Sequence, residues 1–194
     1  MRKVIVFVSV TLDGVMQAPA RPDEDVRGGF THGGWAIPYA DEVMGRVAGE
    51  SMAGTGAIIL GRRTYEDFYS VWPNRKDNPY TEVLNNSLKC VASRTLKEPL
   101  PWMNSKLLEG DAADAVARLK EQPGKDMVVL GSGELVQSLM RKNVVDEFVL
   151  QTHPLVLGSG RRLFDGGGAT PLRLVDTTTT SKGVVIATYR PAAA

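Results

Sequence analysis

The sequence predicts an α/β protein with a sheet that is parallel at its core and antiparallel at its C-terminal edge. Three observations carry this. Short β-branched runs recur along the chain, several end in glycine or serine, and each of those turns leads into an amphipathic segment. The last two strand-like segments have no helix between them, so they read as an antiparallel hairpin.

Taken in order, Val4 to Val10 is an almost continuous apolar run, which suits a central strand covered on both faces. Residues 17–38 carry Pro19, Pro22, Gly28, Gly29, Gly33, Gly34 and Pro38 and show little periodicity, so they form a long loop, a feature often tied to function. From Asp41, the positions Val43, Met44, Val47, Ala48 and Met52 have helical spacing, with acidic residues at the start where the helix dipole favours them. Ala57 to Leu60 reads as a buried strand ending at Gly61, and Thr64-Tyr65-Glu66-Asp67 as a capping pattern that starts a short helix. Lys89 to Ala92 is a further strand ending at Ser93-Arg94. Asp111 to Gln122 is an amphipathic helix stopped by Pro123-Gly124. Met127 to Leu130 passes through Gly131-Ser132-Gly133 into a helix from about Glu134 to Lys142, and Glu147 to Gln151 is another strand. Leu172–Asp176 and Val184–Tyr189 form the hairpin. With no repeat and no linker, residues 1–194 read as a single domain.

Composition bounds the function. The 194 residues carry 23 Lys plus Arg against 22 Asp plus Glu, a formal charge of +1. Nothing in that balance pulls the chain toward nucleic acid or an anionic membrane, so a phosphate site has to be built locally. The lone Cys90 excludes an internal disulfide, and no apolar run approaches the roughly 20 residues that span a bilayer. Val4 to Val8 is short for a signal core. The expectation is a soluble, cytoplasmic protein with no membrane partner.

Three strands end alike, at Gly61-Arg62-Arg63-Thr64, Ser93-Arg94 and Gly131-Ser132-Gly133-Glu134-Leu135. In an open α/β sheet, ligands bind beyond the C-terminal ends of the strands, where helix N-termini offer free N–H groups. Glycine there lets the backbone approach a pyrophosphate, and Arg62, Arg63 and Arg94 supply charge-assisted hydrogen bonds to a terminal or 2′-phosphate. Convergence of the three turns describes a site for a phosphorylated dinucleotide. Singly, each glycine reads equally well as a tight strand-to-helix turn and each arginine as a solvated helix start. The Rossmann fingerprint is incomplete, since Val136 stands where its third glycine belongs.

Other chemistry finds little support. The chain has no Gly-x-Ser-x-Gly elbow and no Walker motif, Cys90 sits inside a buried strand, and His32 and His153 lack neighbours at metal-ligand spacing. No metal is expected. A nicotinamide brings its own reactive hydride, which suits a chain so poor in catalytic groups. For a planar substrate the candidates are Trp35, Ile37, Pro38, Tyr65, Phe68 and Trp72. Asp41 serves either as a polar group for substrate or as the cap of its helix, and the aromatics either as pocket walls or as core.

Four segments resemble the dihydrofolate reductase-like family: Val8 to Gly14, Ile59 to Glu66, Val129 to Leu135 and His153 to Phe164. The branch is the one containing the C-terminal reductase domain of the bifunctional riboflavin-biosynthesis deaminase/reductase. The resemblance covers nearly the whole chain and implies a three-layer sandwich and an NADPH-dependent reductase of a pyrimidine- or pteridine-like substrate. It sets Asp13-Gly14 and the following loop over nicotinamide and substrate. It also puts Gly61, Arg62, Arg63, Thr64, Ser93 and Arg94 on the adenosine phosphates, and Gly131 to Leu135 on pyrophosphate and ribose. Trp35 to Asp41 is similar to the family's stretch of Trp, Pro and a substrate-binding acid, with one extra residue before Asp41 that leaves Glu42 as a substitute. Asp13 and Asp41 are thus the catalytic candidates. The deaminase's His-x-Glu and Pro-Cys-x-x-Cys signature is absent. The branch further implies a homodimer. The alternatives are a dihydrofolate reductase and a non-catalytic dinucleotide-binding protein of the same fold.

Overall fold

A computed structural model describes residues 1–78, 80–166 and 168–192. β1 (Val4–Thr11) lies in the interior of the sheet, paired in parallel with β5 (Asp126–Leu130) on one side and β6 (Glu147–His153) on the other. Its two faces differ. Val4, Val6, Val8 and Val10 are buried, whereas Ile5, Phe7 and Ser9 are half-buried. The continuous apolar run therefore overstates the cover on the second face, which opens onto a groove at the strand's C-terminal half.

β2 (Thr55–Gly61), β3 (Leu88–Ala92) and β4 (Ser105–Leu107) extend the parallel part, and β8 (Val185–Pro191) and β7 (Leu172–Thr179) close the other edge as an antiparallel hairpin. The strand order is β4-β3-β2-β5-β1-β6-β8-β7. Two helical layers flank this sheet. On one side, α4 (Ala112–Glu121) and α5 (Gly133–Arg141) bury Ala113, Val116, Val136 and Leu139 against Val4, Val6, Ile59 and Val129. On the other, α1 (Glu42–Ala53), α2 (Arg62–Val71) and α3 (Tyr80–Asn86) contribute Met52, Tyr65 and Leu84 to a cluster with Ile58, Leu60, Val91 and Trp102. Because β2 alternates its side chains between the two clusters, all four of Ala57 to Leu60 are buried. The layers make a three-layer sandwich.

Two elements carry no periodic signal and go unread in the sequence. α3 has seven residues and β4 three. Tertiary contacts secure them. Lys89, fully buried, donates to the carbonyls of Leu84 (2.7 Å), Asn85 (3.2 Å) and Ser87 (2.8 Å) at the end of α3, and lies over the Trp102 ring. Burial lowers its pKa to about 8. The start of α2 also differs from expectation. Gly61 is its N-cap and gives no side-chain cap, and Thr64 already lies within the helix, so the 64–67 pattern does not start it.

Candidate active site

A single groove of about 1410 Å³ runs across the C-terminal ends of β1, β2, β3 and β5. Ordinary small-molecule pockets hold roughly 300–1,000 Å³, so the space suits an extended ligand or two ligands end to end. Gly61 to Thr64, Ser93-Arg94 and Gly131 to Leu135 all line it. The three strand-end turns thus share one cleft.

The first end is built from helix N-termini. α1 and α4 are capped by Asp41 and Asp111, which accept from backbone N–H groups inside the first turn. α2 and α5 start at Gly61 and Ser132 without any side-chain cap, leaving their first N–H groups for a ligand. Ser132 joins them: the Gly61 amide donates to its Oγ at 2.8 Å, and Thr64 Oγ1 lies 3.0 Å away. Close approach requires glycine here. Gly131 has φ +53°, and a Cβ on it would stand 3.1 Å from Thr64 Cγ2; a Cβ on Gly133 would stand 2.5 Å from Met16 Sδ. The rim is cationic. Arg62 pairs with Glu66 at 3.1 Å and Arg63 with Glu134 at 3.8 Å, while Arg94 is exposed and has no acidic partner among the described residues.

The second end has aromatic walls, Phe68 and Trp72 from α2 and Tyr80 from α3, with Phe7 and Ser9 of β1 also lining the groove. Over it lies the 17–27 segment of the long loop. Gln17 organises this segment, donating to the carbonyls of Asp25 and Arg27 (3.0 Å each) and accepting from the Arg161 amide. Arg21 reaches across to α2 and bonds Asp67 through both terminal nitrogens, at 2.5 and 3.4 Å. Glu24 Oε2 accepts from the amides of Ala20 (2.7 Å) and Arg21 (3.2 Å), and burial pushes its carboxyl above the usual carboxylate range.

Eight residues considered for the site, Ile37 and Glu42 among them, lie outside the groove's lining. Tyr65 is core: it is 1% exposed, and its hydroxyl accepts from the Trp102 amide at 3.0 Å. Trp35 packs with Val15, Ala18 and Phe30 and donates to the Gln17 carbonyl, which makes it a support of the loop. Pro38 sits in a 3-10 turn whose carbonyl accepts from Lys182. Asp41 spends one oxygen on the Met44 amide and the other on the amide and hydroxyl of Ser181, so the cap is the role the geometry supports. Asp13 binds the Thr11 hydroxyl and the amides of Leu157 and Gly158, holding the turn after β6, and Gly14 beside it, whose amide donates to the Thr11 carbonyl, has a φ of +79° in the turn after β1.

Conversely, Glu24, Asp67 and Tyr80 line the groove without having been singled out, and neither was Arg21, which ties the loop to Asp67. The run Arg21-Pro22-Asp23-Glu24-Asp25 looks like any solvated loop, and a pair separated by 46 residues leaves no local signature.

This architecture is a dihydrofolate reductase-like α/β sandwich with a ligand groove at its parallel strand ends. The chain belongs to the RibD C-terminal domain family, whose model matches residues 2–186. It is 32% identical over 197 residues to YyaP, an uncharacterized protein of Bacillus subtilis (strain 168), covering 97% of this chain and 94% of that one. YwjB of the same organism, also uncharacterized, is 29% identical over 166 residues, 84% and 83% of the two chains. Among solved structures, a putative riboflavin biosynthesis protein from Shewanella sp. PV-4 superposes with a TM-score of 0.73 at 22% identity, covering 98% and 99% of the chains. RibD of Acinetobacter baumannii gives 0.65 at 15% identity, where this chain is covered completely and spans 59% of that one. These likenesses share the fold. No helix among the described residues is long and apolar enough to cross a membrane.

Proposed function

We propose that the protein is an NADPH-dependent reductase that delivers a hydride to a pyrimidine- or pteridine-like heterocycle. The observation that carries this reading is the pair of uncapped helix N-termini, α2 and α5, joined through Ser132 at the cationic end of one long groove. Free N–H groups, glycines that admit a close ligand and arginines with room to turn are what a diphosphate and an extra phosphate require. The residues present therefore fit the dinucleotide.

In this reading Gly61 to Thr64 and Gly131 to Leu135 hold the diphosphate. Arg94, without an acidic partner among the described residues, takes the 2′-phosphate with Ser93 beside it. Bound NADPH supplies the hydride. The chain's part is to seat the acceptor ring against Phe68 and Trp72 and to exclude water beneath the Arg21–Asp67 closure. The family and the riboflavin-related solved structures support the reductase class.

The test is a fluorescence titration with NADPH and with NADH, followed by a screen of heterocyclic acceptors for loss of NADPH absorbance. Tighter binding of NADPH and turnover with one acceptor class are expected. A chain that binds neither cofactor is not a reductase of this kind.

A further inference from the structure

A hydride delivered to a ring C=N bond leaves an electron pair on the nitrogen, and a proton has to follow it. Neither expected acid can deliver one, since Asp13 and Asp41 lie outside the groove's lining and bind backbone amides and hydroxyls elsewhere. His32 and His153 do not line the groove either. The donor has to come from the acids of the lining itself.

Most of these are committed. Arg21 holds Asp67 through two bonds, Arg27 holds Asp25, Arg62 holds Glu66 at 3.1 Å, and Arg161 holds Glu134 at 2.8 Å. Each of the four already serves as the anion of an ion pair. Asp111 caps α4 through the Ala113 and Asp114 amides, and Asp23 and Asp165 are exposed. Burial pushes the Tyr80 hydroxyl up to about 12, far from the range in which a general acid works best.

Glu24 differs from all of them. It is half-buried on the groove's lining, and no Lys or Arg nitrogen among the described residues pairs with it. The Ala20 and Arg21 amides fix its Oε2 at 2.7 and 3.2 Å, while Oε1 has no hydrogen-bond partner among the described residues. The carboxyl is held in place with one oxygen unused. Two charged groups act on it: the Arg21 guanidinium of its own loop, which is turned to Asp67 and Asp23, and the Asp67 carboxylate of α2, next in sequence to the aromatic wall residue Phe68. Burial leads and the Asp67 charge adds to it, so the carboxyl lies above its ordinary 4.5 despite the two amides and Arg21.

Resting on the reductase reading above, we propose that Glu24 is the catalytic proton donor, giving the proton on Oε1 to the nitrogen of the acceptor's C=N bond. The balance is simple. NADPH is the reductant: its hydride forms the new C–H bond, the C=N π pair moves to nitrogen, and that pair takes the Glu24 proton to form N–H. NADP+, the reduced ring and a Glu24 carboxylate remain, and the carboxylate takes its next proton from water. A carboxyl fixed by two amides beside the acceptor's aromatic wall loses little freedom in doing this.

The experiment uses the full chain and two readouts. Carbon-13 NMR of the Glu24 carboxyl, assigned by its disappearance in Glu24→Gln, should give a titration midpoint above 4.5. NADPH oxidation is then followed against pH with 7,8-dihydrobiopterin, a probe with a reducible ring C=N bond. The parent's rate should fall as pH rises through that midpoint. Glu24→Gln, which keeps an oxygen for the Ala20 and Arg21 amides, should be slower by at least about a hundredfold and lose that fall, with NADPH affinity within about twofold of the parent. Glu24→Asp keeps the acid on a shorter arm and should retain the fall at an intermediate rate. A midpoint at or below 4.5, a Glu24→Gln rate within about threefold of the parent, or a chain that binds NADPH without oxidising it in the presence of the probe overturns the inference. Failure to bind NADPH overturns the reductase reading instead.

Discussion

The Gly61 amide donates a 2.8 Å hydrogen bond to the Ser132 hydroxyl, joining the first turns of α2 and α5 across 71 residues of sequence. Parallel β2 and β5 are neighbours in the sheet, so helices leaving their C-terminal ends begin side by side. Ser132→Ala removes the acceptor and leaves a part-buried amide unpaired, a loss of about 1–2 kcal/mol of stability. The same change should weaken NADPH roughly tenfold, about 1.4 kcal/mol, because the two N-termini lose their common anchor. Urea unfolding and a cofactor titration on the variant read the two effects separately.

Arg94 gives the cleanest test of cofactor selectivity. Arg62 and Arg63 have carboxylates within 4 Å, whereas Arg94 has none among the described residues. If it holds the 2′-phosphate, Arg94→Ala should cost about 1.5–3 kcal/mol for NADPH, the usual worth of a charged hydrogen bond, and leave NADH nearly unchanged. Equal losses for both cofactors would remove Arg94 from that role.

The strand-end turns were legible because each is local: a buried β-branched run followed by Gly61, Ser93 or Gly131 marks a point where the backbone must turn at the sheet's ligand-binding edge. What the pattern cannot carry is side-chain commitment across the fold. Tyr65 has the spacing and chemistry of a pocket residue, yet its hydroxyl is needed by the Trp102 amide, 37 residues away. Asp41 looks equally like a cap and a substrate acid, and only Ser181, 140 residues away, claims the second oxygen. The same limit hid Arg21 and Asp67, whose pairing exists once the loop has crossed to α2. Helix α3 and strand β4 escaped for another reason, being too short to display a period.

Asp13 predicts a defined acid sensitivity. The Thr11 hydroxyl, at 2.6 Å, is the leading cause of a pKa lowered from 3.8 to about 2, assisted by the Leu157 and Gly158 amides. A folded-state pKa below the unfolded one means that stabilisation is complete above about pH 4 and is lost as pH falls toward 2. Asp13→Asn should therefore be less stable than the parent near neutrality, and the gap should narrow across that window. Urea midpoints measured at a series of pH values check it; a gap independent of pH would contradict the assignment.

The Arg21–Asp67 pair fastens the long loop to α2. Both side chains keep some exposure, 32% and 17%, so the bidentate geometry is discounted for solvent screening. A double-mutant cycle with Arg21→Ala and Asp67→Asn should give a coupling of about 0.5–1 kcal/mol that shrinks as salt is raised. Hydrogen exchange at the Ala20 and Glu24 amides should quicken in either single variant, since the loop then loses its tie to the helix. Unchanged exchange would mean that Gln17 and its partners hold the loop unaided.

Tyr65→Phe separates packing from substrate contact. The ring belongs to the core between α2 and the sheet, and the hydroxyl's recorded task is to accept from the Trp102 amide at 3.0 Å. Removing that oxygen keeps the packing and strands a buried N–H, which should lower stability by about 1–3 kcal/mol. Because Tyr65 does not line the groove, NADPH affinity at a temperature well below the unfolding transition should stay within about twofold of the parent, under 0.5 kcal/mol. Phe68→Ala, one turn along the same helix, should behave in the opposite way, since its ring faces the groove and its loss falls on acceptor turnover. If Tyr65→Phe instead spared stability and raised the acceptor KM, the hydroxyl would have to leave Trp102 for the groove when substrate arrives.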